Sequence, residues 1–176
     1  MTTLKFKSRL DLFPDNLYAF YVEVPKDVVS ELGLQENKRV LTLYDGKIEK
    51  HQALMLWKGI HYLMVNAELR KSLSLLLGDP VQVEITPDES KYGMPMHASL
   101  ETALDQEGVM QVFEQLSPGK QRNLLFIVDK VKSVDAKIPK ALAIAAHLKE
   151  NGTNLDFKRL NELIKEFNNN AKMTRR

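Results

Sequence analysis

Residues 21–44 and 62–85 align with one another at an offset of 41 positions without a gap, and this internal repeat constrains the fold more than any other feature of the chain. Tyr21 matches Tyr62, Val24 matches Val65, Val28 matches Leu69, Leu32 matches Leu73, Leu34 matches Leu75 and Val40 matches Val81. Residues that open helices or turn the chain fall in register too. Pro25 stands against Asn66, and Asn37 against Gly78, the latter two both tolerant of a left-handed backbone. Each copy reads strand, helix opener, short amphipathic helix, turn, strand. A unit this small cannot bury its apolar face alone, so the two copies are predicted to pack as half-barrels about a pseudo-two-fold axis.

The surrounding pattern fits that expectation. Leu4, Phe6, Ser8, Leu10 and Leu12 alternate with Lys5, Lys7, Arg9 and Asp11, the period of a strand with one buried face. Pro14-Asp15-Asn16 supplies a turn, after which Tyr18, Phe20, Val22 and Val24 resume the alternation. Pro25 opens a helix over Lys26–Leu32, and Asn66 caps one over Ala67–Leu73. A strand over residues 39–43 meets Asp45-Gly46, a pair suited to a tight hairpin, so residues 47–56 are predicted to return antiparallel. Trp57-Lys58-Gly59 makes the next turn, and strands over Ile60–Val65 and residues 81–85 complete the set.

Past Pro95 the apolar period becomes helical. Leu100, Ala103 and Leu104 share one face, and Val109, Val112, Phe113 and Leu116 form a second stripe. Ser117-Pro118 marks the start of a helix over residues 119–132 with Leu124, Leu125, Ile127, Val128 and Val131 inward. Pro139 is expected to open a helix over residues 140–149, closed by Asn151-Gly152. Leu160, Leu163, Ile164 and Phe167 define an amphipathic helix over residues 155–168, with a frayed tail from Asn169. The Met94-Pro95-Met96 segment reads as a linker packing into the barrel.

Bulk properties exclude several classes. With 44% apolar and 27% charged residues the chain has the composition of a folded globular protein. No apolar run reaches the roughly 18 residues of a membrane span, and the N-terminus lacks the apolar block of a signal peptide. Cysteine is absent, which removes disulfides and thiolate chemistry and fits a cytoplasmic protein. Net charge is +2: residues 1–90 carry 11 basic and 13 acidic groups, and residues 91–176 carry 14 and 10.

These segments carry a family resemblance. Pro25-Lys26-Asp27-Val28-Val29-Ser30-Glu31-Leu32-Gly33-Leu34 and Leu73-Ser74-Leu75-Leu76-Leu77-Gly78-Asp79-Pro80-Val81-Gln82-Val83 look like the two halves of an AbrB-like split barrel. With Lys91-Tyr92-Gly93-Met94-Pro95 and the run from Phe113 through Ser117-Pro118-Gly119-Lys120-Gln121-Arg122, residues 1–152 resemble the bacterial bacteriocin-protection, YdeI or OmpD-associated family, whose function is unknown. The resemblance implies such a barrel joined to a helical tail. Many members place arginines at the start of the last family helix. Here Asp135-Ala136-Lys137-Ile138-Pro139-Lys140 keeps positive charge without arginine's bidentate fork.

Chemistry-bearing patterns are sparse. His51, His61, His97 and His147 lack metal-ligand spacing, although His51 and His61 lie on neighbouring predicted strands. No nucleophile elbow or phosphate loop is present. Asp88-Glu89 and Glu101/Asp105 are paired carboxylates, and the second pair, four apart on an exposed helix face, reads as a solvated surface. Lys120 and Arg122, at the start of the helix after Ser117-Pro118, with Lys130, Lys132, Lys137 and Lys140 following, form the best candidate anion site. A solvated, capped helix face accounts for the same pattern and is the reading the sequence favours. Trp57 and Tyr92 are the aromatic residues suited to stacking on a ring.

The expected fold class is α+β: a pseudo-two-fold split β-barrel with two inserted short helices over residues 1–90, then a helical region over residues 91–176. The expected function is that of a non-enzymatic bacterial binding or interaction module, with a link to stress or bacteriocin tolerance. Nucleic-acid binding through the barrel and an enzyme with an unrecognised site are the alternatives. Anion-binding residues would be Lys120, Arg122, Lys132, Lys137 and Lys140, with no catalytic residues, metal or cofactor. The partner is left open: an anionic ligand or a protein is favoured, nucleic acid is possible but not favoured, and no membrane is expected.

Overall fold

A computed structural model describes residues 3–15, 19–34 and 38–173, which divide into two compact units between Glu89 and Ser90. Asn16, Tyr18, Asn37 and the last three residues of the tail, to which the sequence assigned turn, strand or frayed roles, lie outside the described residues.

The first unit is a curled antiparallel sheet. Its strands are β1 (Leu4–Leu12), β2 (Phe20–Val24), β3 (Arg39–Tyr44), β4 (Ile48–Ala53), β5 (Met55–Trp57), β6 (Ile60–Val65) and β7 (Pro80–Pro87), in the spatial order β4-β3-β7-β1-β2-β6-β5. Helix α1 (Lys26–Leu32) joins β2 to β3, and α2 (Ala67–Leu73) joins β6 to β7. The repeat is visible in both elements and register. Gly33 and Ser74, equivalent at the 41-residue offset, both end their helices in the left-handed conformation, at φ 59° and 55°. Val22 pairs with Leu63, and Leu43 with Glu84, so in both ladders a residue faces its own repeat partner. That is the register a two-fold axis through both ladders requires.

β1 stands outside the repeat and ties its halves together. Residues 4–9 pair with β7, while residues 10–12 pair with β2. Curling follows from the connection at the opposite side. The predicted single strand over residues 47–56 is broken at Leu54 into β4 and β5, the two edges of the sheet. Laid flat, strands about 4.8 Å apart would hold these edges roughly 29 Å from one another. A single intervening residue lets the chain reach only about 7 Å from one edge to the other. The sheet therefore bends until its edges meet at Leu54, which is buried. Inside lie repeat-related pairs, Val24 with Val65, Val28 with Leu69 and Val40 with Val81. Symmetry fails at Thr42 and Tyr44, whose counterparts are Val83 and Ile85. Gln52 Nε2 donates to the Thr42 hydroxyl at 3.1 Å and to the Tyr44 hydroxyl, satisfying the polar atoms that this half of the core buries.

The second unit is helical: α3 (Ala98–Gln106), α4 (Met110–Glu114), α5 (Pro118–Asp129), α6 (Val134–Asn151) and α7 (Phe157–Met173). Its core joins Leu100, Leu104, Phe113, Leu124, Leu125, Val128, Ile144, Leu148, Leu160 and Leu163. Met94 and Met96 pack against this core, not into the sheet as the linker reading had it. Pro139 does not open its helix. Ser133 does, its hydroxyl accepting from the Ala136 N–H at 3.2 Å, and the proline sits inside α6. Its missing N–H leaves one early turn without its i→i−4 bond, a tolerable loss near a capped end. Asp156 starts α7 by accepting from the Lys158 and Arg159 N–H groups. That helix runs to Met173, so residues 169–173 are helical rather than frayed, and Arg159 pairs with Glu162 and Glu166 along its exposed face. No helix among the described residues is long and apolar enough to cross a membrane.

Candidate functional site

The predicted cations separate into two places along α5. Lys120 and Arg122 occupy its first turns, where Lys120 Nζ donates to the Thr153 carbonyl at 3.4 Å and Arg122 Nη1 to the Tyr92 carbonyl at 3.5 Å. Lys130 caps the other end of α5, and exposed Lys132 lies in the short link to α6. Lys137 and Lys140 project from the first turns of α6. Lys137 pairs with Asp129 at 3.7 Å. Burial, reinforced by the neighbouring Lys130 ammonium, pushes the Lys140 amine below its ordinary range, so these two cations are crowded together.

Two motifs quoted separately in the sequence meet in space. Glu114 Oε1 accepts from Lys91 Nζ and from the Tyr92 hydroxyl, both at 2.6 Å, and the Tyr92 ring stands edge-on to Phe113 at 5.4 Å. These donors hold the Glu114 carboxyl below its usual range. Gln121, buried on the inner face of α5, donates to the Phe113 carbonyl at 3.1 Å. Tyr92, which the sequence offered as a stacking residue, thus serves to dock the segment before α3 onto α4 and α5.

On the sheet, His51 Nδ1 lies 2.9 Å from the buried Asp88 carboxylate. The sequence set Asp88 only beside Glu89, because β4 and the end of β7 come together only around β3. Among the described residues, no group of three or more His, Asp or Glu side chains is placed to hold a metal ion.

The feature that sequence reasoning missed is an aromatic groove on the outer face of β2, β6 and β5. Strand pairing sets Tyr21 against Met64 and Met55 against Tyr62, while Trp57 ends β5 beside them. Phe13, just past β1, fills the centre: its ring lies 4.4 Å from Tyr21, 4.9 Å from Tyr62 and 5.1 Å from Trp57, edge-on to the last two. Around this cluster opens a groove of about 390 Å³ lined by Phe13, Asp15, Ala19, Met55, Trp57, Tyr62 and Met64. Met55 and Met64 are each 42% exposed at its rim. Lys58 holds its ammonium 4.6 Å from the Trp57 ring centre. Burial, with the Asp11 carboxylate second, raises the Tyr21 hydroxyl above its ordinary value. The signal was present in the alternation of β2 and β6, where Tyr21, Tyr62 and Met64 occupy the outward positions that a solvated face would give to polar residues.

Fold and groove together define an α+β protein with a curled, internally repeated sheet that carries an aromatic outer face. Residues 6–85 match the family model of a domain of unknown function (DUF1905). That match spans both repeats and every residue that lines the groove, and it includes none of the helical unit. No curated protein matches the chain.

Proposed function

We propose that this protein is a cytoplasmic, non-enzymatic binding module whose ligand surface is the aromatic groove on the sheet. The carrying observation is the groove itself: Trp57, Met55 and Met64 stay partly exposed around a floor of Phe13 and Tyr62. Its volume of about 390 Å³ lies within the range of small-ligand sites and suits one aromatic or branched aliphatic group. Methionines at the rim adapt to varied shapes. In the same reading the sheet is an AbrB-like split barrel, supported by the two-fold registers of its ladders, and the chain acts in stress or bacteriocin tolerance, supported by the family resemblance of residues 1–152.

Trp57 is the only tryptophan of the chain, so its emission reports on the groove alone. Titration with a panel of neutral aromatic and aliphatic amides is expected to shift that emission in a saturable way, and to lose the effect in Met64→Glu. A panel that leaves Trp57 emission and the Met55 and Met64 methyl resonances unmoved defeats the proposal.

A further inference from the structure

The second unit presents a row of another chemistry. Arg122, Phe126 and Lys130 recur at four-residue spacing on α5, so they line one stripe of that helix with about 6 Å of rise between neighbours. Phe126 is 56% exposed at the centre of the row, an unusual position for a ring on a helix that buries Leu124, Leu125 and Val128. Lys130 closes the row near Lys140, whose amine burial and then the Lys130 ammonium push below its ordinary range. Lys137 and Lys132 flank this end, and the nearby acid Asp129 is taken up by Lys137.

We infer that this stripe is a docking surface for single-stranded nucleic acid. An exposed ring set between cations fits a polymer that alternates phosphates with aromatic faces. Arg122, Lys130 and Lys140 would neutralise phosphates while Phe126 stacks on an unpaired base. A duplex offers the same phosphates but keeps its base faces stacked inside, so it can use only half of the arrangement. The surface belongs to the second unit and stands whether or not the groove binds.

The test is fluorescence anisotropy of a labelled twelve-nucleotide thymidine strand, its RNA counterpart and a duplex of equal length, with the full chain. Saturable binding of a single strand is expected, with log affinity falling against log salt at a slope of about −2 to −3 for three or four phosphate contacts. Phe126→Ala is expected to weaken it at least about fivefold. Lys130→Glu should weaken it more, while Lys26→Glu, an equal charge change on exposed α1, should leave it unaltered. Circular dichroism of each variant checks that the fold is kept. Equal loss in Lys26→Glu, equal binding of duplex with no effect of Phe126→Ala, or no binding of any oligonucleotide at low salt would each overturn the inference. So would Phe126-dependent capture by anionic vesicles without oligonucleotide binding, which would assign the row to a membrane surface.

Discussion

His147 Nε2 accepts a hydrogen bond from the Asp156 backbone N–H at 3.1 Å, joining the last turn of α6 to the residue that starts α7. The ring is buried, and that burial lowers its proton affinity below the ordinary histidine value. Acceptance at Nε2 requires the neutral ring, whereas the unfolded chain protonates freely near pH 6.5. The unfolded state therefore binds more protons below that pH, and stability is lost as pH falls. Urea midpoints followed by helical ellipticity should decline from pH 7.5 to pH 5, and His147→Gln should flatten the decline.

Tyr44 gives the opposite sign. Its hydroxyl is enclosed in the sheet's core, and burial pushes its pKa up to about 12, against the hydrogen bonds that would lower it. The unfolded chain ionises near pH 10. The stability that this residue contributes is thus complete below pH 10 and lost as pH rises from there toward 12. Tyr44→Phe should lessen the alkaline loss in unfolding titrations. At neutral pH it should cost about 0.5–1.5 kcal/mol, because the partly buried Gln52 amide loses an acceptor.

Val22 and Leu63 meet at the two-fold position of the β2–β6 ladder, both with no exposed surface. Leu63→Ala should destabilise the protein by about 2–5 kcal/mol. Combined with Val22→Ala, the loss should differ from the sum of the single losses by at least about 0.5 kcal/mol, since the two side chains border one cavity. A denaturation double-mutant cycle measures the difference.

Ser133, rather than Pro139, sets where α6 begins. Ser133→Ala should cost about 1 kcal/mol of stability, and Ser133→Asp should restore it by accepting the same N–H group near the positive end of the helix. Thermal unfolding of the two variants beside the parent chain is the check.

Much of this architecture was legible in the residues. The alternation of Leu4 to Leu12, the Asn66 cap and the Ser117-Pro118 start are local signals, each settled within a turn or a few strand residues. The offset of Tyr21 against Tyr62 extended that legibility to a non-local property, because equivalent units pair with equivalent registers. Among the candidate site residues, the sequence brought Lys120, Arg122, Lys130, Lys132, Lys137 and Lys140 into one basic stretch. What it did not contain was their division between the two ends of α5, or the carbonyl and carboxylate partners that Lys120, Arg122 and Lys137 meet.

By itself, then, the sequence determined period, punctuation and repetition: where strands and helices form and that two copies must share a core. Only the tertiary structure decided that residues 47–56 split at Leu54 between opposite edges, that Asp88 meets His51, and that Phe13 gathers Tyr21, Tyr62 and Trp57 around a groove. The physical reason is range. Propensity and alternation act through neighbouring dihedrals, whereas these contacts join residues far apart in the chain and exist only once the sheet has curled.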